Sequence, residues 1–155
     1  MSVPPRPQGT LSIHGTFIRD LSFENPHVPY KITEGIEPKI NISYDISVTS
    51  LKDNFYEVLL STYVSATLEE QSFFIIDVKF AGLFNIVFDD KEELEKVLYI
   101  QCPNILQPYV RRIVSELTTE GGMPSLLLQP VDFFGLYLEK KAQLQNNNTA
   151  AATAN

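Results

Sequence analysis

The sequence predicts an α+β fold in which a four-stranded antiparallel sheet is followed by C-terminal helices. Apolar and polar residues alternate with a period of two through much of the first half, which is typical of strands with one buried face. Beyond about residue 88 the apolar spacing becomes that of helices. The chain has 155 residues, enough for one domain with a single core. Strands followed by helices indicate the α+β class.

The first predicted strand covers residues 11–24. Its odd positions carry the apolar residues Leu11, Ile13, Phe17, Leu21 and Phe23. Ile18 and Arg19 break the alternation, which predicts a bulge near Ile18. Asp20 and Glu24 lie on the polar face roughly 13 Å apart at the usual strand rise. That separation is too large for a catalytic carboxylate pair, so they predict an acidic stripe on the surface.

The second strand follows residues 25–38, which contain three prolines and a glycine. This segment is too long for a hairpin turn and is predicted to cross over the sheet. The alternation is then the clearest in the chain, over residues 40–48. Its apolar positions are Ile40, Ile42, Tyr44, Ile46 and Val48.

Two further strands are predicted over residues 55–67 and 72–87, after a turn at residues 50–54. Residues 68–71 are short enough for a hairpin connection between them. Ala81-Gly82 predicts a bulge or bend in the fourth strand.

The second half is predicted to form helices, the first over residues 89–99 with acidic residues in its first turn. Pro103 fits a helix start, whereas Pro108 one turn later predicts a short kinked entry. The longer helix over residues 109–120 carries Tyr109, Ile113 and Leu117 at i, i+4 and i+8.

Gly121-Gly122 is predicted to end this helix. An apolar loop follows over residues 123–130, and the final helix is predicted over residues 131–143. Gly135 is a weak point near the middle of that helix.

The ends differ in composition from the middle of the chain. Residues 1–10 and 143–155 are predicted to be disordered, which leaves a folded domain at residues 11–142. The start lacks the apolar region of a signal peptide, and no run approaches the roughly 20 apolar residues of a membrane span. We therefore expect a cytoplasmic protein that does not insert into the membrane.

Several function classes lack the residues they need. Cys102 is the one cysteine, and His14 and His27 are the two histidines, with no spacing that suits a metal site or a Cys-His nucleophile. No glycine-rich phosphate loop is present. The sequence therefore predicts no enzyme, no catalytic residue, no metal and no cofactor. A small hydrolase or isomerase with paired carboxylates brought together by the fold stays open as an alternative.

The chain is acidic, with 19 Asp and Glu against 12 Lys and Arg and a formal net charge of −7. Such a surface repels nucleic acid and attracts basic partners. Negative charge that only keeps the protein soluble is the alternative interpretation. Separately, the sheet and the loop over residues 123–130 carry more apolar residues than one small monomer leaves in water, which predicts self-association or a groove for an apolar ligand.

Four short motifs identify a family. They are FENP at residues 23–26, CPNILQPYVRR at residues 102–112, GGMP at residues 121–124 and LQPVDF at residues 128–133. Together they resemble the SecB protein-export chaperones of Gram-negative bacteria, and the resemblance covers about residues 11–139. It implies a homotetramer built as a dimer of dimers, with Tyr109, Ile113 and Leu117 at the helical interface. Their spacing alone fits a role in the core of one chain equally well.

The resemblance also implies a function. SecB proteins bind unfolded precursor polypeptides in apolar grooves without ATP, keep them competent for translocation, and deliver them to the SecA translocation ATPase. The positions that match the client groove are Ile40, Ile42, Tyr44, Met123, Leu126, Leu128 and Phe133. Alternation alone predicts burial in the core for these residues nearly as well.

The positions that match the SecA-binding patch are Asp20, Glu24, Ile75 and Asp77. The element of SecA that this patch recognises is a basic, zinc-binding tail, so the zinc belongs to the partner. The chain departs from the family pattern at Gln107, Val110 and Arg112, which we expect to change the strength of the interface. A SecB-like chaperone dedicated to one client, such as an antitoxin, is the alternative function.

Overall fold

The computed structural model describes residues 2, 9–27 and 37–153. Within them, four strands form one antiparallel sheet: β1 Gly9–Glu24, β2 Lys39–Ser50, β3 Phe55–Leu68 and β4 Gln71–Phe88. The strand order is β1-β4-β3-β2, so β1 and β2 lie at opposite edges, as a crossover requires. Most of the predicted disordered N-terminal segment and most of the predicted crossover lie outside the described residues.

Strand β1 contains two bulges. The pairing with β4 shifts register at His14 and again at Arg19, which confirms the predicted bulge near Ile18 and adds a second one. Each bulge inserts one residue, so side chains between the two bulges change face relative to a regular strand. Phe17 consequently pairs with Ala81 on the face opposite the helices. Its assignment to the apolar face from odd-numbered alternation was wrong.

Tight turns join the central strands as predicted. Asp53 and Asn54 have φ of 59° and 64°, and Glu69 and Glu70 have φ of 51° and 64°. Two consecutive positive φ values are typical of the turns that match the right-handed twist of a hairpin. These turns place β2, β3 and β4 side by side.

The core lies between one face of the sheet and the helices. Its fully buried members include Val58, Leu60, Val64, Ile76, Val78, Phe84 and Ile86 from the strands and Leu106, Val110 and Val114 from the helical half. Gly82 stays in register with both neighbouring strands, so of the bulge or bend predicted at Ala81-Gly82 the bulge is absent. A Cβ at Gly82 would lie 2.5 Å from the Phe84 ring and 3.0 Å from Leu106, so glycine is needed here for close packing.

The helical half starts with α1, Lys91–Lys96, whose first turn is capped by Asp90. A π-helical turn, Val97–Gln101, leads directly into α2, Cys102–Glu120. Pro108 lies inside α2, which runs without interruption where a kinked entry was predicted. Pro103 lies at the start of α2 directly after the π turn, where a proline is best tolerated.

The chain leaves α2 at Gly121 and Gly122, as predicted, and enters an extended loop. The last helix, α3, is Phe133–Thr153. A Cβ at Gly135 would lie 2.5 Å from the Asp132 carboxylate, which accepts a hydrogen bond from the Gly135 N–H. Helix α3 continues past Gln143, where disorder was predicted, and its last residues are exposed.

Candidate functional site

An apolar groove of about 440 Å³ lies between β2 and the loop that follows α2. Ile40, Ile42 and Tyr44 form one side of it, because alternate residues of a strand point to the same face. Leu126 lines the groove from the loop. Strand β2 is at the edge of the sheet, so the groove lies along an edge with which no further strand of the described chain pairs.

The other predicted groove residues lie beneath this surface. Leu128 and Phe133 are each 1% exposed and Met123 is 9% exposed, which places all three in the core. The ring of Phe133 packs edge-on against Tyr44, with 6.3 Å between ring centroids. In the single chain these three side chains therefore lie beneath the groove and do not line it, and their contact with a client stays a prediction. The lining residues that the sequence did not reveal are Leu127, Gln129, Pro130 and Val131.

A second hollow, of about 230 Å³, adjoins the groove through Tyr44 and lies between β2, the π turn and α3. Lys140 borders it and donates a hydrogen bond to the carbonyl oxygen of Ile46 at 2.6 Å. Its Nζ also lies 5.3 Å from the centroid of the Tyr99 ring. Burial raises the pKa of Tyr44 and of Tyr99 above the ordinary value, so both phenols are neutral at physiological pH.

The acidic patch predicted from the resemblance is brought together by the pairing of β1 with β4. Glu24 lies opposite Ile75. Asp77 lies opposite Ser22, the residue midway between Asp20 and Glu24 along β1. Directly opposed residues share a face, so all four patch residues project from the side of the sheet away from the helices. Asp20 and Glu24 are exposed, whereas Ile75 and Asp77 are half-buried.

Two neighbours of this patch were not predicted. Lys79 lies directly opposite Asp20, and Tyr63 of β3 lies beside Asp77 with 42% of its surface exposed. The patch is therefore acidic with an aromatic side chain at one border and a single lysine at the other. Strand registers were needed to find both residues.

A third surface lies on the helix side of the sheet, between α2 and β1. Tyr109, Ile113 and Leu117, the predicted interface residues, line a hollow of about 550 Å³ there. Its opposite wall includes Ile18 and Leu21, which are 48% and 37% exposed. Tyr109 stacks on Phe80 with 5.2 Å between ring centroids. Ile113 is only 7% exposed, so it also belongs to the core of the chain.

Groups that carry chemistry are few in the described part of the chain. Cys102 is fully buried, and burial raises the pKa of its thiol to about 12. The thiol is therefore protonated at neutral pH, whereas a nucleophilic cysteine requires the thiolate. Among the described residues, no three His, Cys, Asp or Glu side chains are grouped so that they could hold a metal ion. The helices described in the structure include none that is long and apolar enough to cross a membrane.

Comparison with known proteins identifies the class. Residues 5–144 match the family described as preprotein translocase subunit SecB. The protein-export protein SecB of Caulobacter sp. (strain K31) is 40% identical over 136 residues, covering 87% of this chain and 83% of the relative. That of Stenotrophomonas maltophilia (strain K279a) is 34% identical over 144 residues, covering 93% and 84%. These relatives define a protein-export chaperone. The chain belongs to the SecB family.

The fold agrees with a solved structure, the Mycobacterium tuberculosis Rv1957 SecB-like chaperone in complex with a ChAD peptide from the Rv1956 HigA1 antitoxin. The TM-score is 0.66, over 78% of this chain and 90% of that chain, at 19% sequence identity. This likeness confirms the predicted α+β fold with a four-stranded antiparallel sheet.

Proposed function

We propose that this protein is an ATP-independent cytoplasmic chaperone that binds unfolded secretory precursors in the apolar groove and delivers them to the SecA translocation ATPase. The observation that carries the proposal is the groove beside β2. It exposes Ile42 and Leu127, which are 39% and 54% accessible. Exposed apolar grooves of this kind are typical of sites for apolar segments of other chains.

The groove suits clients that share no sequence motif. Burying one client side chain of leucine or phenylalanine size contributes about 1.5–3 kcal/mol, so several of them give useful affinity even after the cost of ordering the client. The lining is mainly aliphatic, and among the described residues its polar groups are the side-chain amide of Gln129 and the phenol of Tyr44. Apolar burial discriminates weakly between side chains, which favours a general chaperone.

The separation of the groove from the acidic patch supports delivery. The groove opens on the helix side of β2, whereas Asp20, Glu24 and Asp77 project from the opposite face near β1. A basic segment of SecA can therefore bind the patch while a client occupies the groove. Charge attraction between them speeds their encounter and weakens as salt screens it.

Neutralising the patch is expected to uncouple the two activities. The double variant Asp20→Asn with Glu24→Gln should weaken SecA binding about tenfold or more at low salt, because two exposed charges that attract the basic tail are lost. Affinity for unfolded precursor should stay as in the wild type. Calorimetric titration with SecA at two salt concentrations measures the first effect, and titration with precursor measures the second.

A matched control is Asp89→Asn with Glu93→Gln, which removes two charges near and within α1. It should leave SecA binding close to the wild-type value. SecA affinity that is equal in both double variants would contradict the role of the patch.

The hollow between α2 and β1 supports assembly into a dimer of dimers, because Ile18, Leu21 and Tyr109 leave apolar surface on one side of the monomer. We expect the wild type to sediment with the mass of four 17.5-kDa chains. Leu21→Glu should reduce that mass, since a carboxylate in the covered interface would be desolvated.

Leu144→Glu is the matched control, because Leu144 is 58% exposed on α3 and does not line this hollow. It should leave the mass unchanged in sedimentation equilibrium. A monomeric wild type would refute the assembly, and a Leu21→Glu protein of full mass would place the interface elsewhere.

The alternative function is a SecB-like chaperone dedicated to one client such as an antitoxin. The observation in its favour is the shared fold with Rv1957, whose solved complex contains an antitoxin peptide. A general chaperone should bind two unrelated unfolded precursors in competition with each other. Binding of neither precursor, together with no binding of SecA, would favour the dedicated function.

A further inference from the structure

The loop that forms one side of the groove is attached to α2 by a buried hydroxyl. Thr118 is 1% exposed, and its Oγ1 accepts a hydrogen bond from the N–H of Leu126 at 2.9 Å. The same hydroxyl lies 3.0 Å from the carbonyl oxygens of Val114 and Ser115, to which it donates. The two carbonyls share the single hydroxyl proton, and a lone pair of the same oxygen accepts from the Leu126 N–H, so the three contacts coexist.

The loop has one other side-chain tie to α2, a hydrogen bond between the hydroxyls of Ser125 and Ser115, and few hydrogen bonds of its own backbone. Met123 donates its N–H to the carbonyl oxygen of Thr118, before the groove begins. Between Leu126 and the capping residue Asp132, the described backbone makes no hydrogen bond to another backbone group. Side-chain packing anchors this stretch: Leu128 is 1% exposed, and Leu126 and Val131 pack partly buried against the core. The Thr118 bond and the burial of Leu128 therefore bracket the groove residue Leu127.

We propose that Thr118 is a positioning residue for client binding, whose hydroxyl holds Leu126 and Leu127 in place beside Ile42. This inference rests on the proposed function of the groove. An apolar groove binds well only if its walls are in place before the client arrives, because ordering them during binding reduces affinity. The hydroxyl supplies that order from beneath the surface without contacting the client.

The variant Thr118→Val isolates the effect of the hydroxyl. Valine has nearly the shape of threonine and is also β-branched, so packing and helix preference change little. The Val114 and Ser115 carbonyls lie within α2 and keep their helical environment. The Leu126 N–H, in contrast, loses its acceptor in a partly buried place, which favours release of the loop.

The test compares Thr118→Val with two controls. Thr118→Ser keeps the hydroxyl and should behave as the wild type. Thr119→Val makes the same chemical change one residue later, where the hydroxyl bonds only to the Ser115 carbonyl at 2.9 Å. The readouts are hydrogen exchange at the Leu126 amide and the dissociation constant for one chemically unfolded secretory precursor.

We expect Thr118→Val to increase exchange at Leu126 and to raise the dissociation constant, each by about tenfold, the size of one lost buried hydrogen bond. Both controls should stay within about twofold of the wild type, a difference small against that tenfold effect. Thr118→Ala, which removes the same acceptor, should reproduce the result if the valine variant folds poorly.

Faster exchange with unchanged affinity would overturn the positioning role, and unchanged exchange would overturn the attachment itself. Wild-type protein that binds no unfolded precursor would refute the proposed function instead. The exchange measurement without client separates that outcome from a failure of the Thr118 bond.

Discussion

Replacing Ile42 with aspartate is expected to weaken the binding of unfolded polypeptide about a hundredfold, which corresponds to about 2.7 kcal/mol. Ile42 lies in the middle of the three β2 residues that line the groove. The substitution removes apolar area that a client would cover, and it places a carboxylate where a client side chain would desolvate it. Because Ile42 is already 39% exposed, the folded protein should tolerate the change. Titration with one unfolded precursor measures the effect.

The matched control is Val87→Asp, the same kind of change at an exposed β-branched residue of another strand. Val87 is 43% exposed near the end of β4 and does not line the groove. It should change precursor affinity by less than about threefold, as expected for a surface charge away from the site. Equal losses in the two variants, or no loss in either, would contradict the location of the client site.

The second large effect concerns the core that holds the sheet against α2. Phe84 is fully buried, and its ring lies against Gly82 where the sheet meets Leu106 of α2. Phe84→Ala should lower the free energy of unfolding by about 3–5 kcal/mol, because it leaves a cavity that neighbouring strands cannot fill. Denaturant unfolding at one fixed protein concentration measures this change, since self-association also contributes to stability.

Leu83→Ala provides the comparison on the adjacent residue. Leu83 pairs with Gly15 and Glu57 on the other face of the sheet and is only half-buried. Leu83→Ala should lower the free energy of unfolding by about 1 kcal/mol, as is common for partly exposed sites. A cost for Leu83→Ala as large as that for Phe84→Ala would contradict the assignment of the two faces.

Local alternation predicted the strands well because each strand buries one face. It failed in β1, where the bulges at His14 and Arg19 place Phe17 on the outer face. Alternation within one strand does not reveal an inserted residue, because a bulge is defined by the pairing with the neighbouring strand. Gly82 shows the same limit, since its close packing against Leu106 depends on how α2 crosses the sheet.

The groove was predicted on its β2 side and, in the loop, at Leu126 alone. Ile40, Ile42 and Tyr44 were found from alternation and resemblance, and all three line it. In the loop, three consecutive leucines at residues 126–128 have different environments, and Leu128 alone is buried. An irregular loop has no period, so its inward and outward side chains follow from tertiary contacts such as the Thr118 hydrogen bond.

The strand registers were also needed to place the residues of the acidic patch together. Asp20 and Glu24 were expected together from one strand, but Ile75 and Asp77 joined them only through the resemblance. The pairing of Glu24 with Ile75 supplies the physical reason, because opposed residues in antiparallel strands share a face. Tyr63 lies beside the patch because β3 pairs with β4, which places it opposite Asp77. The sequence of β3 alone does not indicate this position.

The most direct test of the central proposal is calorimetric titration of the purified protein with one secretory precursor, in its unfolded and its folded form, without nucleotide and at several temperatures. We predict binding of the unfolded form only, with a negative heat-capacity change that reports burial of apolar surface. Absence of binding to the unfolded form, or equal binding of both forms, would contradict an ATP-independent chaperone that recognises exposed apolar segments.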